Sequence, residues 1–98
     1  MTSEARRVDV PADTLRAVHA GERRVIVPVI DNMEVVDSER SIMRPVFRPG
    51  MLVRLECSDK NTPAFVAELD RVTKVYRKGD VQNLNNMLGI RLWMKEVK

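Results

Sequence analysis

The sequence predicts an α+β domain, a small mixed β-barrel of about five or six strands with one or two short helices. Three observations lead there. A strand, a short helix, a glycine and a second strand follow one another over Val8 to Ile30, VDVPADTLRAVHAGERRVIVPVI. Two later runs, Met51 to Cys57 and Leu88 to Val97, alternate apolar and polar residues with the period of half-buried strands. Between them, the strand opened by Pro63 loses its alternation near Asp70 and Arg71, which predicts a bulge or sharp bend of the kind that helps a small sheet curl.

Size and composition set the frame. With 98 residues, 44% hydrophobic and 32% charged, the chain has material for one core, so residues 8–98 are read as a single domain behind a polar, disordered end at 1–7. Seventeen Lys and Arg against fourteen Asp and Glu leave a net charge of +3, which permits an anionic partner. A single cysteine, Cys57, excludes an internal disulfide, and one histidine leaves no Cys and His set for zinc. No metal or cofactor is expected, and a reducing cytoplasm fits best. Neither a signal-length apolar run nor a stretch of roughly 20 apolar residues is present, so no membrane association is expected.

Each element has its own signal. Pro11 has a fixed φ and no N–H to waste at a helix start, Asp13 puts negative charge in the first turn, and Ala12, Leu15 and Val18 form one apolar stripe. Arg16 and His19 suit the carboxyl end, and Gly21 stops the helix after about ten residues, too few to be stable undocked. The run Val25 to Ile30 is apolar on both faces and predicts a strand covered on both sides, with Pro28 marking an edge or a bulge. Asp31 to Arg48 reads as a long excursion, a binding loop or a short strand at Met33, Val35 and Val36 that pairs locally. Pro49 and Gly50 turn the chain into the strand whose dry face is Met51, Val53, Leu55 and Cys57. Ser58 to Thr62 is a polar turn, and Phe65, Ala67 and Leu69 begin the bent strand that ends at Arg77 to Asp80. Val81 to Met87 is a loop or one helical turn. In the last strand Leu88, Ile90, Leu92 and Met94 make a dry face opposite Arg91, Trp93 and Lys95.

This order of elements, with Gly21-Glu22-Arg23 after the helix and Phe47-Arg48-Pro49-Gly50 before the next strand, resembles the ASCH domains of the PUA-like superfamily over nearly the whole chain. In that family a Gly-x-Lys segment ends the helix, Glu and Arg follow in the next strand, and Phe-x-x-Gly-Asp leads into a later one. Here Arg23 stands at the lysine, Ile26 and Pro28 at the Glu and Arg, and Met51 at the aspartate. The resemblance implies a PUA-like barrel with a ligand cleft between the helix, the second strand and the long loop. Some small ASCH proteins are amidohydrolases of acylated nucleosides that use a Lys, a Thr and a Glu. Arg23 and Ile26 fall at the Lys and Thr, and an arginine keeps its proton while isoleucine has no hydroxyl, so binding without catalysis is expected.

Candidate binding residues are therefore cations and one aromatic. Arg23, Arg24, Arg44 and Arg48 stand at the ends of segments that would frame such a cleft, where guanidinium groups hold phosphates and stack on bases. Trp93, between Arg91 and Lys95, offers a stacking platform on a cationic strand face. RNA or a nucleotide-containing ligand is the expected partner. The alternatives are a protein partner docked on the 31–48 loop and a nucleoside amidohydrolase with a rearranged site. His19 and Cys57 read as structural residues, the latter on the apolar face of its strand.

Overall fold

Pro11 and Gly21 bracket the helix as their chemistry requires. The computed structural model describes residues 5–77 and 86–95. In it α1 spans Ala12–His19, eight residues, with extended Pro11 at its N-cap. Its end is a Schellman motif: the Gly21 N–H donates to the Val18 carbonyl at 3.1 Å and the Glu22 N–H to the Ala17 carbonyl at 2.9 Å. That closure needs a left-handed residue, and Gly21 supplies it at φ +119°. Leu15 and Val18 are fully buried while Ala12 is half-buried, so the apolar stripe is docked mainly through its second half.

The strands are β1 (Arg6–Asp9), β2 (Arg24–Val27), β3 (Met33–Asp37), β4 (Ile42–Pro45), β5 (Leu52–Glu56), β6 (Phe65–Tyr76) and β7 (Met87–Met94). Five of them form one mixed sheet in the order β1-β5-β6-β7-β2, with β1 parallel to β5 and the other pairs antiparallel. β1 begins two residues before the expected start, at Arg6. The first half of β6 pairs with β5 and the second with β7, and the register shifts between Leu69 and Arg71, where the alternation slips in the sequence. That bulge bends one long strand so that it serves both halves of the sheet. The loop or single helical turn expected over 81–87 falls largely in 78–85, outside the described residues.

Two expectations are corrected. The sheet does not close into a barrel: β1 and β2 are its free edges. β2 is four residues long; beyond it Asn32 Nδ2 donates to the Pro28 carbonyl at 2.8 Å and the chain turns away, and Pro28 has no N–H to offer on the open side of the strand. β2 is also covered on one face only, with Val25 and Val27 buried and Ile26 exposed. Its outward backbone groups follow from the register. The Met94 N–H donates to the Arg23 carbonyl at 2.8 Å, so along β2 the peptide groups of Arg24 and Ile26 face the open edge. Glu22 occupies the first of these, its carboxylate accepting from the Arg24 N–H at 3.0 Å.

The excursion after Asp31 is a local hairpin. β3 and β4 pair antiparallel as a separate two-stranded sheet, joined by a turn in which Asp37 Oδ1 accepts from the Glu39 and Arg40 N–H groups at 3.0 and 3.3 Å. Phe47, just beyond it, returns to the core. That core takes Leu15 and Val18 from the helix, Val25 and Val27 from β2, Val53 and Leu55 from β5, Leu69 from β6 and Ile90 and Leu92 from β7, the faces assigned by their periodicities.

Candidate nucleic-acid interface

Trp93 lies in the middle strand of three. Across β6, β7 and β2 the register sets Arg71 and Arg24 on either side of it, and Arg91 is two residues away on the same face of β7. The three guanidinium carbons lie 4.1 Å (Arg71), 5.6 Å (Arg24) and 5.8 Å (Arg91) from the indole centroid, and the indole N–H donates to Thr73 Oγ1 at 3.2 Å. Significant cation–π pairs occur about once per 70 to 80 residues, so three on one ring is a local concentration of charge. Arg24 shares its charge with Glu22 at 3.4 Å. Among the described residues no ion pair engages Arg71 or Arg91. Like charges gathered without a counter-charge repel one another and attract an anion.

Arg23 has a different task. Its Nη1 donates to the Val18 carbonyl and to the Glu22 carbonyl, both at 3.0 Å, and its guanidinium lies 5.2 Å from the Phe65 centroid. His19 meets the same ring edge-on at 5.4 Å, and its Nε2 donates to the Pro63 carbonyl at 2.7 Å. Together they fasten the carboxyl end of α1 to the start of β6, where positive charge offsets the helix dipole.

Arg44 and Arg48 sit on and beside the hairpin, and each donates to Glu34 Oε1 at 2.7 Å. Arg44 foremost, and then Arg48, holds the Glu34 carboxyl below its ordinary value. A depressed folded pKa contributes stability above the unfolded value, and the contribution is lost as pH falls through the folded one. The hairpin is therefore expected to loosen on acidification below the ordinary glutamate range, and Glu34→Gln is expected to remove that part of the acid response. Amide exchange of β3 and β4 on both sides of the titration checks this, and unchanged protection would refute it.

Of the five residues singled out in the sequence, the structure brings Arg24 to Trp93, joins Arg44 to Arg48 through Glu34, and commits Arg23 to the helix end. Sequence reasoning missed Arg71 as a partner of Trp93, although Arg71 is the residue at which the alternation breaks. Arg91 was visible only as a neighbour in the basic and aromatic face.

The larger groove, about 880 Å³, lies elsewhere, between Pro11, Pro28, Pro63 and the turn after β5, and none of these five residues lines it. Part of its charge is paired within it: Glu56 accepts from Arg54 at 2.7 Å and Arg7 at 2.6 Å, which lowers its pKa, Arg54 foremost. Cys57, half-buried, borders the same groove. Among the described residues no three His, Cys, Asp or Glu side chains gather as metal ligands would, and no helix is long and apolar enough to cross a membrane. Fold and site thus define a small, mostly β domain with one docked helix and an indole face ringed by arginines. Compared with models of known protein families, with curated proteins and with solved structures, the chain matches none.

Proposed function

We propose that this is a non-enzymatic, cytoplasmic PUA-like module that binds RNA or a nucleotide-containing ligand. The strand, helix and strand opening and the curl of the mixed sheet at the β6 bulge support the PUA-like reading of the fold. One observation carries the function: three guanidinium groups surround a single indole on the outer sheet face, and two of them have no carboxylate partner among the described residues. Phosphate supplies the missing negative charge and a base supplies the stacking partner. Arg24 and Trp93 are therefore the centre of the site, with Arg44 and Arg48 as outlying phosphate contacts whose charge is partly spent on Glu34.

The salt dependence of RNA binding tests this. Each phosphate contact on a single strand contributes about 0.7 to the slope of log K against log salt, so changing Arg71 and Arg91 together to Gln is expected to flatten it by about 1.4. Changing Arg44 and Arg48 together is expected to flatten it less. A slope indifferent to Arg24, Arg71 and Arg91 would overturn the assignment.

A second reading is favoured by the hairpin, which exposes Val35, Val36 and Ile42, and by exposed Ile30 in the turn that leads into it. Such a surface suits a protein partner. Binding there would persist at high salt, whereas phosphate binding would not.

A further inference from the structure

The Trp93 face is flat ground. Among the described residues, none of Arg24, Arg71, Arg91 and Trp93 lines the 880 Å³ groove or the smaller one beside β1, so a ligand here is taken to lie along the sheet. A mononucleotide on such a face would make one stack and one phosphate contact and leave two cations unused. A duplex presents phosphates, but its bases are paired and stacked inward, and bringing one face onto the indole requires unpairing it. A single strand uses the whole arrangement. Strands lie about 4.8 Å apart and alternate residues of one strand about 7 Å apart, so cations flank Trp93 on both sides and along β7, where the phosphates before and after a stacked base would pass.

The ring itself is shared with Arg71. At 4.1 Å that guanidinium lies against the indole, and a guanidinium plane is itself a surface on which bases stack. The two phenylalanines are placed differently: Phe47 is in the core and Phe65 is held between His19 and Arg23. The hydroxyl of Thr73 accepts from the indole N–H, and the three guanidiniums around the ring are suited to phosphate.

We infer, resting on the binding reading above, that the Trp93 face takes single-stranded nucleic acid, RNA and DNA alike, with one base stacked on the Arg71 and Trp93 couple and its flanking phosphates on Arg24 and Arg91. Arg71 serves here as a stacking plane as well as a charge.

Trp93 is the chain's only tryptophan, so its fluorescence reports stacking at this one place. The full chain is titrated at low salt with a single-stranded RNA of about ten nucleotides, the DNA of the same sequence, their blunt duplexes and adenosine monophosphate. Both single strands are expected to quench Trp93 with affinities within about threefold of each other, because the contacts assigned here go to base and phosphate and none to the 2′-hydroxyl. Duplexes are expected to bind at least tenfold more weakly, roughly the cost of unstacking a base, and without quenching. The mononucleotide is expected not to saturate. Arg71→Lys keeps the charge and removes the plane, so it should preserve the salt slope while weakening single-strand binding about 5-fold or more. Quenching by duplex or mononucleotide equal to that by single strands would overturn the inference while leaving the binding reading intact. So would a tenfold preference for RNA, or an Arg71→Lys variant indistinguishable from the parent. Absence of binding to every probe would overturn both.

Discussion

Leu15→Ala is expected to lower the unfolding free energy by about 2 to 5 kcal/mol in urea denaturation. Leu15 is completely buried, together with Val18, between the helix and the sheet. An eight-residue helix has no stability of its own, so its presence depends on this docking. The loss would be a large share of the ~5 to 15 kcal/mol that holds a domain of this size together. The Schellman closure and the Arg23 bond to Val18 would survive the substitution, since neither uses the Leu15 side chain. A change below ~0.5 kcal/mol would mean that the helix does not depend on its apolar stripe.

Gly89→Ala is expected to destabilise by about 1 to 3 kcal/mol, although alanine normally suits a strand better than glycine by roughly 0.5 to 1 kcal/mol. The sign is set by sterics. A Cβ at Gly89 would stand 2.8 Å from the Val27 carbonyl oxygen and 2.9 Å from Ile26 Cγ2, both in β2. The isoleucine methyl can rotate away, but the carbonyl belongs to the strand paired with β7. Adding Ile26→Ala should therefore rescue only part of the loss. Full rescue would show that the side chain, and not the backbone, sets the close approach; a variant as stable as the parent would show that β2 does not lie so near.

Much of this fold is legible in the sequence, and the reason is local chemistry. Pro11 and Gly21 mark the helix with their backbone limits, the alternation at Val53 and Leu55 fixes which side of β5 is dry, and Ile90, Leu92 and Met94 do the same for β7. The slip at Asp70 and Arg71 announces the bulge. What cannot be read locally is which strands become neighbours. The parallel pairing of β1 with β5 joins residues 47 positions apart, Arg6 with Val53, and no turn connects them to fix the register. The hairpin stays ambiguous because MEVVD does not alternate and neither Val35 nor Val36 is buried. The site is divided in the same way. Arg24 and Trp93 can be picked out as a cation and an aromatic, but that they meet is a property of the β2 to β7 register. Arg71 joins them only because the bulge resets the strand after Leu69, so its place beside the indole depends on an irregularity whose position is legible and whose consequence is three-dimensional.

The gap between β1 and β2 bears on how the molecule keeps to itself. A sheet with two free edges is ordinarily a template on which further chains can add strands and grow into fibrils. Here each edge is blunted by different means. β1 is four residues long and carries exposed Arg6 and Arg7, the latter paired with Glu56, so another strand approaching it meets charged side chains. On β2, Glu22 has already taken the Arg24 N–H, Pro28 has none to give, and Asn32 holds the Pro28 carbonyl, leaving Ile26 as the one residue of the strand whose full peptide complement faces the opening. One residue cannot seed a ladder. The open sheet thus offers little backbone for a further strand along β2, and the substitution most apt to change that is one that gives position 28 back its N–H.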